Sequence, residues 1–252
     1  MPIVTLITDF GIGDPYVAMM KGRMLEIDSR INCIDISHNL DVGDIEFASF
    51  LLMKSYKYFP TGSVHLVVVD PTVGGERRAI FSRFKDYFFV GPDNGVLTPF
   101  LKETYRIKKK MENNTRTFEG RDIFAPTAAK LAIGKKEIDL GIRIDNPIKV
   151  ELPEVDIKDS YIEGKILYID YFGNLISNIR EDIVPQGNIE IEVKGKKIAG
   201  LSRNYEDGKD KGLLALINGG FGTLEVALFK GNAALHTNCK KGEKIIIRRK
   251  DE

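Results

Sequence analysis

Halfway along the chain the hydrophobic period changes, and this change restricts the fold more than any other feature. Up to about residue 150, short β-branched runs alternate with stretches of helical spacing. Pro2–Thr8, Ile31–Ile36, Ser63–Val69, Ala79–Phe84 and Tyr87–Val90 read as strands; Tyr16–Ile27, Asp44–Tyr58 and Asp122–Leu131 read as helices. In the second helix Ile45, Ala48, Leu51, Leu52 and Tyr56 fall near one face. In the third, Pro126 lies within the first turns, where a missing N–H costs nothing. Beyond residue 158 the helical period is absent. Tyr161–Asp170, Asn188–Val193, Gly212–Ile217, Thr223–Phe229 and Glu243–Arg248 read as short strands between Gly-, Asn- and Asp-bearing turns, with no convincing helix.

Alternation predicts an α/β domain, a sheet flanked by helices, over 1–150; strands alone predict an all-β, barrel-like domain over 159–252. Pro147–Lys158, with two prolines and mixed charges, is the linker candidate, drawn at 151–158.

Several function classes drop out. Lys+Arg (37) nearly cancels Asp+Glu (36) and no basic run carries interleaved aromatics, which argues against a nucleic-acid or anionic-membrane partner. No apolar run reaches the roughly 18 residues of a membrane span, and the first residues lack signal-peptide features; a cytoplasmic location is the expectation. Cys33 and Cys239 form no redox or zinc spacing and read as reduced structural thiols. His38, His65 and His236 lack metal-ligand spacing, and His65, inside an apolar strand, reads as a structural histidine. Phosphate-cradling glycine motifs and a nucleophile elbow are missing as well.

Four polar clusters stand at strand ends or turns, where open α/β sheets bind ligands. Thr8–Gly11 follows the first strand, and Asp9 there is placed either to accept ribose hydroxyls or to cap a turn. In Val69–Arg78, Asp70 ends the most apolar strand and Arg77 follows seven residues later. On spacing alone this favours a hairpin with solvated arginines over a carboxylate–guanidinium pair. Phe118–Pro126 opens a helix, with simple capping by Asp122 as the plain alternative. Asp170–Asn174 is by itself a turn.

Taken together, TDFG at Thr8–Gly11, DISHNL at Asp35–Leu40, VVDPTVGGERR at Val68–Arg78, VGPDNGVLT at Val90–Thr98, GRDIFAP at Gly120–Pro126 and IDYFGN at Ile169–Asn174 form a fixed series. In this order and at these separations the chain resembles the S-adenosylmethionine (SAM) hydroxide adenosyltransferases, relatives of enzymes that make 5′-fluoro- and 5′-chloro-adenosine. The resemblance runs essentially end to end. It implies an N-terminal α/β domain with a C-terminal β-barrel, a homotrimer with sites between subunits, no cofactor or metal, and hydrolysis of SAM to adenosine and methionine.

Residue by residue, the resemblance assigns Asp9 to the ribose hydroxyls, and Asp70 and Arg77 to a water-handling triad. Asp170 would bind the methionine amino group, Asn174 the adenine edge; Phe172 would line the adenine pocket and Tyr205 pack on the base. Asn218–Phe221 is where the methionine carboxylate would fall. The family's third triad member is histidine, and here that position is Glu119. The competing readings are a non-catalytic SAM or adenosine binder, a halide-dependent adenosyl transferase, and a purely structural trimer.

Overall fold

The computed structural model describes residues 1–108 and 117–250, in two compact units, Met1–Val150 and Glu151–Glu252. In the first, chain order is β1 (Ile3–Thr8), α1 (Tyr16–Ile27), β2 (Asn32–Ser37), α2 (Ile45–Ser55), β3 (Val64–Val68), β4 (Ala79–Phe84), β5 (Tyr87–Pro92), β6 (Glu103–Ile107), α3 (Ala125–Ala132), α4 (Glu137–Leu140) and β7 (Gly141–Ile144). One seven-stranded sheet has the order β2-β1-β3-β5-β4-β6-β7. β2, β1, β3 and β5 run parallel, and the remaining pairings are antiparallel. The residues that follow β1, β2, β3 and β5, namely Asp9, His38, Val69–Asp70 and Asp93, therefore share one edge of the sheet.

β3 lies between two parallel neighbours and every residue of it is buried, as its unbroken apolar run requires. Both faces of the sheet are covered. Val4, Leu6, Val64, Leu66 and Val68 pack with Met20 and Met24 of α1 and Ala125, Ala128 and Ala129 of α3. On the other face His65 and Phe89 meet the rings of Tyr56 and Phe100. α2 starts at Asp44, whose carboxylate accepts from Phe47 N at 3.0 Å. Its buried residues are Phe47, Ala48, Ser49, Phe50 and Leu52, whereas Ile45 and Leu51 of the expected stripe are only half-buried. Four consecutive buried positions mean that the helix is covered around most of its girth, so a one-face pattern could not locate its core side.

The second unit contains β8 (Asp156–Ile157), β9 (Tyr161–Ile169), β10 (Leu175–Arg180), β11 (Ile189–Val193), β12 (Lys196–Ala199), β13 (Leu213–Ile217), β14 (Thr223–Leu228), α5 (Ala233–Thr237) and β15 (Lys244–Arg249). All of its pairings are antiparallel, in the order β12-β11-β15-β9-β10-β14-β13, with β8 on β9. Just past β12, Ser202 N donates to Ala215 O of β13 at 2.7 Å, which brings the two outer strands close to closure. The expected all-β, barrel-like architecture is present, with corrections. β10 is a central strand outside the predicted set, because buried Ser177 and Asn178 break its apolar run. Ala233–Thr237 is a short helix, because the Asn232 side chain caps Leu235 N at 2.8 Å and Asn238 ends it in a left-handed conformation, φ 51°. Five residues are too few for a helical period to show.

The segment between the units is fastened at both ends. Ile148 N donates to Asp93 Oδ1 (2.8 Å) and Val150 N to Thr98 Oγ1 (3.0 Å) in the first unit; Asn178 Nδ2 donates to Pro153 O (2.9 Å) in the second. Both cysteines are free thiols, and no helix among the described residues is long and apolar enough to cross a membrane.

His65 is fully buried among rings, and its Nδ1 shares a 2.8 Å hydrogen bond with Thr5 Oγ1. Burial pushes its pKa down from 6.5 to about 4. The unfolded chain thus takes up this proton first, and the stability contributed by neutral His65 is complete above the unfolded value and lost as pH falls toward the folded one. Urea unfolding followed from pH 7.5 to 4 should show stability falling below about pH 6.5. The part of that slope due to His65 should vanish in His65→Gln, and an unchanged slope would assign the acid sensitivity elsewhere.

Candidate functional site

Strand ends and one irregular helical turn build a cavity of about 490 Å³ in the first unit. The TDFG turn is set first. Gly11 has φ 69°, a conformation glycine adopts without strain, and its N–H donates to His38 O at 2.8 Å. Thr8 Oγ1 and His38 Nδ1 share a 2.8 Å hydrogen bond, while His38 Nε2 lies 3.0 Å from Asp35. Buried His38 thereby clamps the ends of β1 and β2. With the turn fixed, Phe10 joins Tyr16 and Phe118 in an edge-to-face cluster, centroids 5.3–6.1 Å apart, that lines the cavity.

The chain after β3 supplies the charges. Asp70 Oδ1 accepts from Thr72 N and Oγ1 at 3.3 and 3.1 Å, and Gly74 (φ 77°) turns the loop back. Arg77 then donates to Asp70 Oδ2 from Nε at 2.8 Å and also from Nη2. The hairpin alternative fails on topology: β3 and β4 are not neighbours, since β5 lies between them. Nor are the arginines solvated. Arg78 turns the other way and donates to buried Asp93 at 2.6 Å and to Asn146 Oδ1 at 2.9 Å, a structural tie rather than a site group.

The third charge comes from the entry to α3. Gly120–Phe124 is a π-helical turn, closed by Ala125 N on Gly120 O, a distortion that recurs at functional sites. Glu119 immediately precedes it, and Phe124 at its end lies under Arg77, 5.3 Å from the guanidinium carbon to the ring centroid. A side chain on Gly120 would approach Met20 Sδ and the Phe118 ring to 3.2 Å, so the turn sits tightly on α1. Asp122 does not make the simple N-cap; its carboxylate pairs with Arg121 at 2.7 Å.

Arg77 Nη1 forms an ion pair with Glu119 Oε2, so one guanidinium bridges two carboxylates. The side chains of Asp70, Arg77 and Glu119 are only 4, 6 and 8% exposed. The Arg77–Glu119 contact is close without hydrogen-bond alignment, which leaves that N–H lacking a directed acceptor in the pair. The three groups line the cavity with Phe10, Tyr16, Met19, Phe118 and Phe124, a charged trio in a mostly apolar and aromatic wall to which Arg121, paired with Asp122, adds one further cation. Asp9, next to Phe10, is not part of that lining; its Oδ2 accepts from Gly43 N at 2.8 Å. Among the described residues no cluster of His, Cys, Asp and Glu is arranged to hold a metal ion.

In the second unit the remaining candidates form another polar group. Asp170 Oδ1 accepts from Phe172 N (2.9 Å) and Asn174 N (2.8 Å), and Oδ2 from Asn174 Nδ2 (3.0 Å). Gly173 has φ 84°, and any Cβ there would come within 2.1 Å of the Asn232 side chain. Phe172 is 71% exposed as a residue, and its ring touches Tyr171 edge-on. Tyr205 donates through its hydroxyl to Glu225 Oε1 at 2.9 Å, and Asn218 Nδ2 donates to Glu225 Oε2. Burial, then the Glu225 contact, pushes the Tyr205 phenol up to about 12. Burial raises Glu225 too, reinforced by Asp170 and opposed by its two donors. Glu225 is not among the candidates legible in the sequence, where its one signal is a carboxylate among the apolar residues of β14; His38, read there only as lacking metal-ligand spacing, is the clamp of β1 and β2.

Comparisons with known proteins agree with this series of motifs. The family description "SAM hydroxide adenosyltransferase N-terminal domain" matches residues 4–141, and "SAM hydroxide adenosyltransferase C-terminal domain" matches 164–246. The (R)-S-adenosyl-L-methionine hydrolase of Methanocaldococcus jannaschii is 34% identical over 98% of this chain and 96% of its own. The protein of the same name from Thermus thermophilus is 34% identical over 95% of this chain and 96% of its own. A crystal structure of an uncharacterized conserved protein from Thermotoga maritima superposes with a TM-score of 0.90 at 32% identity, covering 98% of this chain and all of that one.

Proposed function

The chain belongs to the SAM hydroxide adenosyltransferase family, and from that premise we propose that it hydrolyses S-adenosyl-L-methionine to adenosine and L-methionine. The observation that carries this reading is the buried Asp70–Arg77–Glu119 trio in a cavity lined mostly by apolar and aromatic side chains. A water held by Arg77 and oriented by Asp70 or Glu119 attacks the 5′ carbon in line with the carbon–sulfur bond. The bond's electron pair goes to sulfur, methionine leaves as a neutral thioether, and a carboxylate takes the water's proton. Fixing water and substrate in this geometry contributes about 7–11 kcal/mol of barrier lowering at most. The apolar wall excludes competing solvent from a step in which nucleophile and cation lose charge against each other.

In this reading Asp9 holds the ribose hydroxyls, Asp170 the methionine amino group and Asn174 the adenine edge, with Phe172 and Tyr205 against the base. No cofactor or metal enters the reaction. The assembly is a homotrimer in the cytoplasm, with sites shared between subunits; in support, substrate motifs occur in both units and the family resemblance implies that assembly. Light scattering should give three times the chain mass, and a fully active monomer would end the trimer reading.

The assay is direct. Purified protein is incubated with each sulfonium epimer of SAM, with and without chloride, and the products are chromatographed. Adenosine and methionine should appear in equal amounts, faster from the (R) epimer, with no 5′-chloroadenosine. Asp70→Ala should lower the rate by about 10²–10⁴-fold while adenosine binding persists. Chloroadenosine would establish the halide reaction, and binding without turnover a SAM-binding protein.

Glu119 supplies the sharper test. A carboxylate accepts a hydrogen bond from water as a neutral imidazole does, but when ionised donates none. Glu119→His should preserve or raise the rate at neutral pH. Glu119→Ala should leave substrate affinity mostly intact and change the shape of the pH–rate profile. Identical profiles in the wild type and both variants would make Glu119 a bystander.

A further inference from the structure

We propose that Glu225 is the positioning residue of the second unit's ligand surface, its buried carboxylate tying the Asn218–Gly222 turn and the Tyr205–Gly208 helical turn into one preorganised arrangement. This rests on the reading of Tyr205 and Asp170 as substrate contacts. Glu225 sits inside β14, between Ile176 of β10 and Leu216 of β13, and is fully buried beside Leu224, Val226 and Ala227. A carboxylate at such a place is costly unless hydrogen-bonded, and an apolar residue would serve the sheet at least as well.

What the carboxylate does instead is hold two loops. Asn218 gives its amide N–H to Glu225 while its Oδ1 accepts from Gly220 N and Phe221 N, both at 2.8 Å. The turn is closed by Gly222 N on Asn218 O at 2.7 Å and Asn218 N on Thr223 O at 2.8 Å. Tyr205 opens a 3-10 turn whose N-cap, Asn204, accepts from Glu206 N at 2.9 Å. A Cβ on Gly208 would reach Leu214 of β13 at 2.3 Å, so that turn lies flat on the sheet. Tyr205 as a residue is 45% exposed while its hydroxyl is held by Glu225. With its phenol held near 12, Tyr205 stays a donor through the neutral range. Fixing the ring before binding removes an ordering cost from the association, which acts on affinity rather than on bond breaking.

The test compares wild type with Glu225→Met, Glu225→Asp and Glu225→Gln, and with Tyr205→Phe alone and combined with Glu225→Met. Adenosine affinity is read by calorimetry, and KM and kcat on SAM. Glu225→Met should raise the adenosine Kd and the KM about tenfold or more, through the loss of the two hydrogen bonds that hold Asn218 and Tyr205. Its kcat should fall less than about threefold, since no transition-state contact is lost. Glu225→Asp, one methylene shorter with the charge kept, should move in the same direction and decides the matter if Glu225→Met does not fold. Glu225→Gln should retain most of the affinity, its amide oxygen accepting from Asn218 and its NH2 donating to the Tyr205 oxygen. Adding Tyr205→Phe to Glu225→Met should cost nothing further, because the hydrogen bond it removes is already lost with Glu225. Wild-type affinity in the Met or Asp variant, a loss confined to kcat, or full additivity would overturn the proposal. If the wild type turns over no SAM but binds adenosine with this variant pattern, the hydrolytic reading fails and this one stands. If the wild type binds no adenosine, this proposal fails.

Discussion

One guanidinium shared by two carboxylates is the contact on which the first unit's architecture converges. Arg77 reaches Asp70 at the end of β3 and Glu119 at the entry to α3, with the Phe124 ring beneath it. Each ion is almost fully withdrawn from water, and such a group is expensive to bury singly, because removing one partner of a buried pair costs about 3–5 kcal/mol. The fold therefore has to deliver all three together. The parallel order puts the ends of β1 and β3 side by side, the Gly74 turn brings Arg77 back, and the π-helical turn offers Glu119. Neighbouring Arg78 shows how much direction matters: it leaves on the opposite side and locks Asp93 and Asn146, tightening the scaffold behind the cavity.

The second unit uses the same device with neutral donors. There the buried carboxyl group is that of Glu225, and the groups gathered on it are a phenol and an amide, each from a separate loop. Asp170 does likewise on a smaller scale, collecting two backbone N–H groups and the Asn174 amide in one turn. In both units a carboxylate removed from solvent is the nucleus around which irregular backbone acquires one conformation. Loops that must meet a ligand with little rearrangement gain from being fixed in this way.

The periodicity change near residue 150 carried the fold class and most strands, because strands flanked on both sides leave unbroken apolar runs and α1 keeps Val17, Met20 and Met24 on one face. Short elements, and strands whose apolar run is interrupted, were hidden. β12 and α5 have four and five residues, β6 and β7 bury only isolated positions, and central β10 carries buried Ser177 and Asn178 within its run. In the site, the motifs were legible as strings while their pairing was not. Spacing alone favoured solvated arginines after Asp70, since whether a loop turns Arg77 or Arg78 inward depends on the strand order β3-β5-β4, which no local pattern encodes. The π-helical turn escaped notice for the same reason: its sequence reads as an ordinary helix start, and the distortion arises where Gly120 presses on Met20 and Phe118.

The charge balance explains why glutamate is a workable residue at position 119. The formal charges of Asp70, Arg77 and Glu119 sum to minus one, in a cavity whose remaining wall is mostly apolar and aromatic and whose one other cation, Arg121, is paired with Asp122. The sulfonium of the proposed substrate carries one positive charge, which the trio's formal charge offsets. When water loses its proton to a carboxylate and methionine leaves as a thioether, the negative and positive charges disappear together, and no uncompensated ion remains at low dielectric. With glutamate at 119 the proposed step is thus a mutual cancellation of charge. A weakly polarisable wall favours such a step, because solvation of the separated ions, which the reaction must give up, is already absent.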